Sequence, residues 1–175
     1  RESLKLLIEN INKKIKDLNH EISIVVINDA SSHQIIDNYP YIENINFIEI
    51  VNMKENRGHA RCIASGLKYI FEKKEFDFVI PMDGDGEDRP EELKNFIQLS
   101  EQSNERSIIG ERVKRSEGLF FQLCYQFHKF LTFAFTGRSI KFGNFTCLSK
   151  STVKKMLEEK ATWNSFSGSL KKIEK

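Results

Sequence analysis

The apolar run Phe78-Val79-Ile80 passes through Pro81-Met82 into Asp83-Gly84-Asp85-Gly86-Glu87-Asp88, and Pro90-Glu91-Glu92 then opens a helical stretch. So abrupt a change predicts a buried strand that delivers Asp83 and Asp85 to the carboxyl edge of a sheet. That edge is where α/β proteins hold their ligands. Two carboxylates one residue apart suit a hard divalent cation, because Mg²⁺ is held by one or two carboxylates while substrate phosphates complete its shell. The same residues also suit a solvated acidic turn.

Two rival motifs fail on the residues. An EF-hand loop counted from Asp83 requires Gly at its sixth position and Glu at its twelfth, where this chain has Asp88 and Lys94. A phosphatase of the haloacid dehalogenase type requires Thr or Val two residues beyond the second Asp, where Glu87 stands. A metal site for a phosphate-bearing ligand survives best.

The remainder of the chain alternates strands and helices. Leu4, Leu7, Ile8, Ile11, Ile15 and Leu18 predict an amphipathic helix over residues 2–18. Ile22 to Ile27 is β-branched and nearly continuous, as in a strand buried on both faces, and it ends in Asn28-Asp29-Ala30-Ser31-Ser32. Those polar residues suit a plain turn, or the presentation of Asp29 beside Asp83. Phe47 to Val51 is the next strand. Glu55-Asn56-Arg57-Gly58-His59 leads from it into a helix with Ala60, Ile63, Ala64, Leu67 and Phe71 inward. Arg57, His59 and Arg61 crowd the start of that helix, where cations oppose the helix dipole. A bound anion would account for them, and so would simple projection into water.

After the acidic loop, Leu93, Phe96, Ile97 and Ser100 mark a helix and Ser107 to Gly110 a short strand. Between Leu119 and Phe135 lie six of the fourteen Phe residues, flanked by Arg112, Lys114, Arg115, Arg138 and Lys141. Residues 118–136 therefore fit a helix docked at a membrane interface, and equally a buried core helix. Gly143 to Thr146 turns into a last helix from about Ser149. This alternation predicts one α/β domain, a doubly wound and mostly parallel sheet, with Asp29, Gly58, Asp83, Asp85 and Arg112 on its ligand-facing edge.

One domain is the natural count for 175 residues. A net charge of +2 gives no strong steering toward nucleic acid, so no nucleic-acid partner is expected. Cys62, Cys124 and Cys147 are odd in number and widely spaced, as suits reduced thiols in a cytoplasmic protein better than a zinc site or disulfide frame. No signal peptide and no run of 18 apolar residues is visible. Arg1 already lies inside a helical pattern, so a piece of a longer protein is expected.

Taken in order, these landmarks resemble the inverting glycosyltransferases of family 2, which have the GT-A fold, and among them the dolichol-phosphate mannosyltransferase and bactoprenol glucosyltransferase branch. The matching segments are Val26-Ile27-Asn28-Asp29-Ala30-Ser31, then Asn56-Arg57-Gly58 with Ala64 and Gly66. They continue with Met82-Asp83-Gly84-Asp85, Pro90-Glu91, and Gly110-Glu111-Arg112 with Arg115. The resemblance runs over about residues 22–150.

It implies a nucleotide-sugar donor and a Mg²⁺ or Mn²⁺ cofactor. Asp29 would contact the base or ribose, with Asn56 and Gly58 also in the donor site. Asp83 would sit beside ribose and diphosphate and share the metal with Asp85, while Arg112 and Arg115 would meet phosphates. Asp83, Asp85 and Arg112 are thus the expected catalytic residues. Stabilising the leaving diphosphate by cation and guanidinium needs no proton transfer. A polyprenyl phosphate acceptor at the inner face of the membrane needs little general base, whereas a hydroxyl acceptor needs one within hydrogen-bond reach.

Three departures stand out. The family's first strand, with its Pro-x-Tyr/Phe-Asn-Glu motif, would lie upstream of Arg1, so the domain is expected to be truncated at that end and at its C-terminus. Asn144 stands where many relatives have Asp, and Thr146 where they have Arg; Ala30 replaces Gly. Two other functions stay open: an inactive nucleotide-binding lobe of a larger membrane assembly, and a sugar nucleotidyltransferase. The latter normally shows an early Gly-rich Arg-Lys loop, which is not visible here.

Overall fold

The computed structural model of the protein describes residues 2–32, 40–103, 106–110 and 143–174. Helix α1 (Glu2–Ile15) forms where Leu7, Ile8, Ile11 and Ile15 repeat at helical spacing, and all four are buried. Glu2 in its first turn and Lys13 and Lys14 in its last complement the helix dipole. Strands β1 (Ile24–Asn28) and β2 (Ile48–Asn52) pair in parallel, Ile24 opposite Ile48 through Asn28 opposite Asn52. Helix α2 (His59–Lys73) follows, then β3 (Phe78–Val79).

A 3₁₀ turn at Pro90–Glu92 leads into α3 (Leu93–Gln102), and β4 (Ile108–Ile109) comes next. Strand β5 (Thr146–Ser149) runs straight into α4 (Lys150–Glu158), capped by Ser149, whose hydroxyl accepts from Thr152 N. A second 3₁₀ turn at Lys160–Trp163 precedes α5 (Phe166–Ile173).

Helices cover both faces of the strands. On one side α1 and Leu93 of α3 form a core with Ile45, against which Ile24, Ile48, Ile80, Met82 and Phe145 pack. On the other side Leu67 of α2 joins Leu148, Val153, Met156, Phe166 and Leu170, with Val79 packed against them. The described strands thus lie between two helical layers, as in an α/β domain.

In three respects the sheet differs from expectation. Among the described residues it is mixed and not mostly parallel: β5 pairs antiparallel with both β3 and β4, in the order β3-β5-β4, apart from the β1-β2 pair. Strand β5 had no strand signature of its own, because Thr146-Cys147-Leu148-Ser149 is too short to show a period. It becomes a strand through burial between two neighbours, all four residues being buried. Finally, β1 is half-buried along its length, not buried on both faces. Two further corrections concern helices: α1 stops at Ile15, not Leu18, and α5 lies beyond the helix expected to be last.

At Gly66, α2 packs closely against β1. A Cβ there would lie 2.8 Å from Ile27 Cγ1 and 3.3 Å from its Cδ1. Gly66→Ala is therefore expected to destabilise the protein by about 1–3 kcal/mol through overpacking, despite the higher helix propensity of Ala. Urea unfolding measures this; an unchanged midpoint would mean that α2 sits farther from β1.

Candidate functional site

Strand β1 ends at Asn28, and Asp29 immediately after it turns back toward the loop that starts α2. Its Oδ1 accepts from Arg57 N at 2.8 Å and its Oδ2 from Gly58 N at 2.8 Å. Gly58 is the N-cap of α2 at φ 82°, a conformation that favours glycine, and no side chain caps the helix. Asp29 thus fixes the entry to α2 from outside it. Asn28 and Asn52, paired across β1 and β2, join side chains at 2.8 Å, and Asn28 Oδ1 also accepts from Ser31 N. The carboxyl end of β1 is thus tied both to β2 and to its own loop.

An open cleft of about 520 Å³ lies at this end of the pair, lined by Asn52, Met53, Lys54, Glu55, Arg57 and Ser65. That size falls within the range of small-molecule sites. Arg57 does not face it as an unpaired cation: its Nε donates to Glu55 Oε1 at 2.9 Å. Of the three basic groups at this helix start, His59 is the one that approaches the acidic loop. His59 Nε2 lies 3.8 Å from Asp83 Oδ1 and 2.5 Å from Asn144 Nδ2. Three loops, those before α2, after β3 and before β5, therefore meet at one imidazole.

The acidic loop is braced from within. Asp83 N donates to Asp88 Oδ2 at 2.8 Å, and Glu87 N donates to Asp85 Oδ1 at 2.9 Å. Gly86 takes φ 88°, the left-handed turn that the loop needs to double back. Asp88 is buried while Asp85 is exposed. On the far side, Phe145 meets Phe96 edge-on at 5.0 Å between ring centres, which anchors the segment carrying Asn144. Thr146 is fully buried, and its hydroxyl donates to Asn144 O at 3.2 Å. A longer charged side chain at 146 would have to be accommodated in that core.

The donor set suits a hard cation. Asp83 and Asp85 offer carboxylate oxygens, while among the described residues no group of three or more His, Cys, Asp and Glu is placed to hold a metal ion by itself. Two carboxylates with the rest of the shell left to a ligand's phosphates is the arrangement Mg²⁺ favours.

The sequence expectations meet this geometry unevenly. Asp29, Gly58 and Asp83 come together, linked through residues 57–59, and Asp85 lies two residues on. Asn56 is exposed in the same loop. Arg112, Arg115 and residues 118–136 lie outside the described residues, as does Cys124. Cys62 and Cys147 are free thiols, and burial pushes the Cys147 thiol up to about 12, which leaves it unreactive. Two roles were not read from the sequence: His59, singled out there only as a candidate anion contact, as a neighbour of Asp83, and Asp88 as a brace. The basic cluster at the helix start was a signal for the first; a carboxylate next to the helix-opening Arg89-Pro90 was the only signal for the second.

Residues 1–159 match the family model described as "Glycosyl transferase family 2". The chain belongs to this family. Membership implies the GT-A nucleotide-sugar transferase fold, and the family generally uses a divalent metal. The chain is 26% identical over 128 residues to an uncharacterized protein of Methanocaldococcus jannaschii, covering 71% of this chain and 56% of that one. It is also similar to the undecaprenyl-phosphate 4-deoxy-4-formamido-L-arabinose transferases of Proteus mirabilis and Pseudomonas savastanoi pv. phaseolicola. The first is 26% identical over 155 residues, 86% of this chain and 44% of the relative. The second is 30% identical over 113 residues, 63% of this chain and 32% of the relative. The chain spans about half the length of the curated relatives it matches. Among the described residues, no helix is long and apolar enough to cross a membrane.

Proposed function

We propose that this chain is the GT-A catalytic domain of a glycosyltransferase that moves a sugar from a nucleotide-sugar to a polyprenyl phosphate, with inversion, at the cytoplasmic face of the membrane. The observation that carries it is the run Arg57-Gly58-His59. Its first residue lines the 520 Å³ cleft, its first two backbone N–H groups are held by Asp29, and its last reaches Asp83. A nucleoside in the cleft would have its diphosphate directed toward the acidic loop. The names of the family relatives support the lipid-phosphate acceptor.

In the transfer, an oxygen of the acceptor phosphate forms the new bond to the anomeric carbon as the bond to the donor's β-phosphate oxygen breaks. The nucleoside diphosphate leaves with the electron pair. A Mg²⁺ or Mn²⁺ ion held by Asp83 and Asp85 would neutralise charge on that leaving group. Asp29 keeps the cleft loop in place, and His59 keeps the Asn144 segment beside Asp83. Arg112 and Arg115 are assigned to the phosphates, and residues 118–136 to the membrane surface that presents the acceptor. An acceptor that is already an anion needs no base, which is consistent with an amide at Asn144.

The test is release of nucleoside diphosphate from a panel of nucleotide-sugars, with and without undecaprenyl phosphate in vesicles. Release that depends on the lipid phosphate is expected. Release that requires a hydroxyl acceptor and ignores lipid phosphate overturns the acceptor; binding of no nucleotide-sugar at all overturns the function.

A further inference from the structure

We infer that Asp88 is a positioning residue for the Asp83–Asp85 loop, setting the geometry in which the two carboxylates take a divalent cation together with a diphosphate. This rests on the metal-site reading above. Asp88 is 5% exposed, so its carboxylate is withdrawn from solvent within an otherwise exposed loop. Its Oδ2 accepts from Asp83 N at 2.8 Å, which closes residues 83–88 into a ring. A buried carboxylate is costly unless hydrogen-bonded, so this contact also helps to hold Asp88 where it is.

The ring is anchored to the body of the protein. Pro90, two residues beyond Asp88, is buried, and Glu92 N donates to Arg89 O at 3.0 Å as the chain enters α3. Inside the ring, Asp85 Oδ1 takes the N–H of Glu87 at 2.9 Å, and Gly86 makes the reversal. The backbone direction at Asp83, and with it the spacing to Asp85, is therefore set by a contact to Asp88 and not by a strand, since β3 ends at Val79. Groups of this kind, which orient a ligand without touching the metal, typically change metal affinity 10- to 100-fold when removed.

The experiment compares wild type with Asp88→Leu, Asp88→Asn and Asp85→Asn by calorimetry. Mn²⁺ is titrated alone and with UDP, GDP, CDP or dTDP, the tightest-binding nucleotide serving as probe, and a thermal melt accompanies each variant. Leu keeps the branching of Asp with bulkier methyls in place of the oxygens and offers no acceptor, whereas Asn keeps an oxygen for the Asp83 N–H. Asp88→Leu is expected to weaken Mn²⁺-supported nucleotide binding about 10- to 100-fold and Asp88→Asn by no more than about threefold. Binding lost in Asp85→Asn but unchanged in Asp88→Leu overturns the positioning role alone. Nucleotide binding in wild type that Mn²⁺ does not strengthen overturns the metal site and this inference with it. Should the Leu variant not fold, amide exchange at Asp83 decides. Slow exchange in wild type and in Asp88→Asn supports the contact, and exchange at the free-peptide rate in wild type overturns it.

Discussion

Asp85→Ala is expected to abolish metal-supported nucleoside diphosphate binding and to lower sugar transfer on the order of 100-fold or more, with little loss of stability. Asp85 is exposed, and its contact is local, the acceptance of Glu87 N by Oδ1. Removing that contact costs only about 0.5–1.5 kcal/mol, because a net hydrogen bond at an exposed turn is worth no more. The functional loss is larger because charge on the departing diphosphate goes uncompensated. Asp85→Asn separates the two effects: its amide oxygen can still accept from Glu87 N, so the turn survives while the negative charge is gone. Calorimetry with and without Mn²⁺, alongside a melt, reads both. Binding that is independent of metal and unchanged in Asp85→Ala would remove Asp85 from the site.

Asp29→Ala is expected to raise the donor KM about tenfold or more and to destabilise the fold by about 2 kcal/mol. Both carboxylate oxygens accept backbone N–H groups, from Arg57 and Gly58, and hydrogen bonds to a charged group are the stronger kind. Without them the loop that lines the cleft and places His59 near Asp83 loses its external tether, while α2 has no side-chain cap to compensate. Asp29→Asn recovers little, because one oxygen becomes an NH₂ group facing an N–H donor. A different role for Asp29, direct contact with the nucleotide base, has a different signature. It would change the preference among nucleotide bases and leave the melting temperature alone. Steady-state kinetics with two donor bases, together with a melt, distinguishes these outcomes.

Local physics written in the sequence determined much of this protein. The helical spacing of Leu7, Ile8, Ile11 and Ile15 is legible because burial imposes a period on it, and the runs before Asn28 and Asp83 because they are apolar or β-branched and end abruptly in polar residues. The carboxylates at Asp83 and Asp85 and the glycine at Gly58 are legible because turn and ligand chemistry restrict residue type at single positions. Order along the chain then sufficed for the family.

What only the tertiary structure decided are the contacts between segments far apart in sequence. Strand β5 exists because β3 and β4 flank it, Phe78 standing opposite Ser149 although they are 71 positions apart, and no period in four residues announces that. Asp29 reads equally as a ligand contact or a turn residue, and only the fold directs both its oxygens to Arg57 and Gly58. His59 and Asn144 are 85 positions apart and touch only because α2 and β5 bring their ends to the same edge. Side chains that act across such distances carry no local signature, since their constraint is a partner's position in space and not a neighbour's identity in the chain.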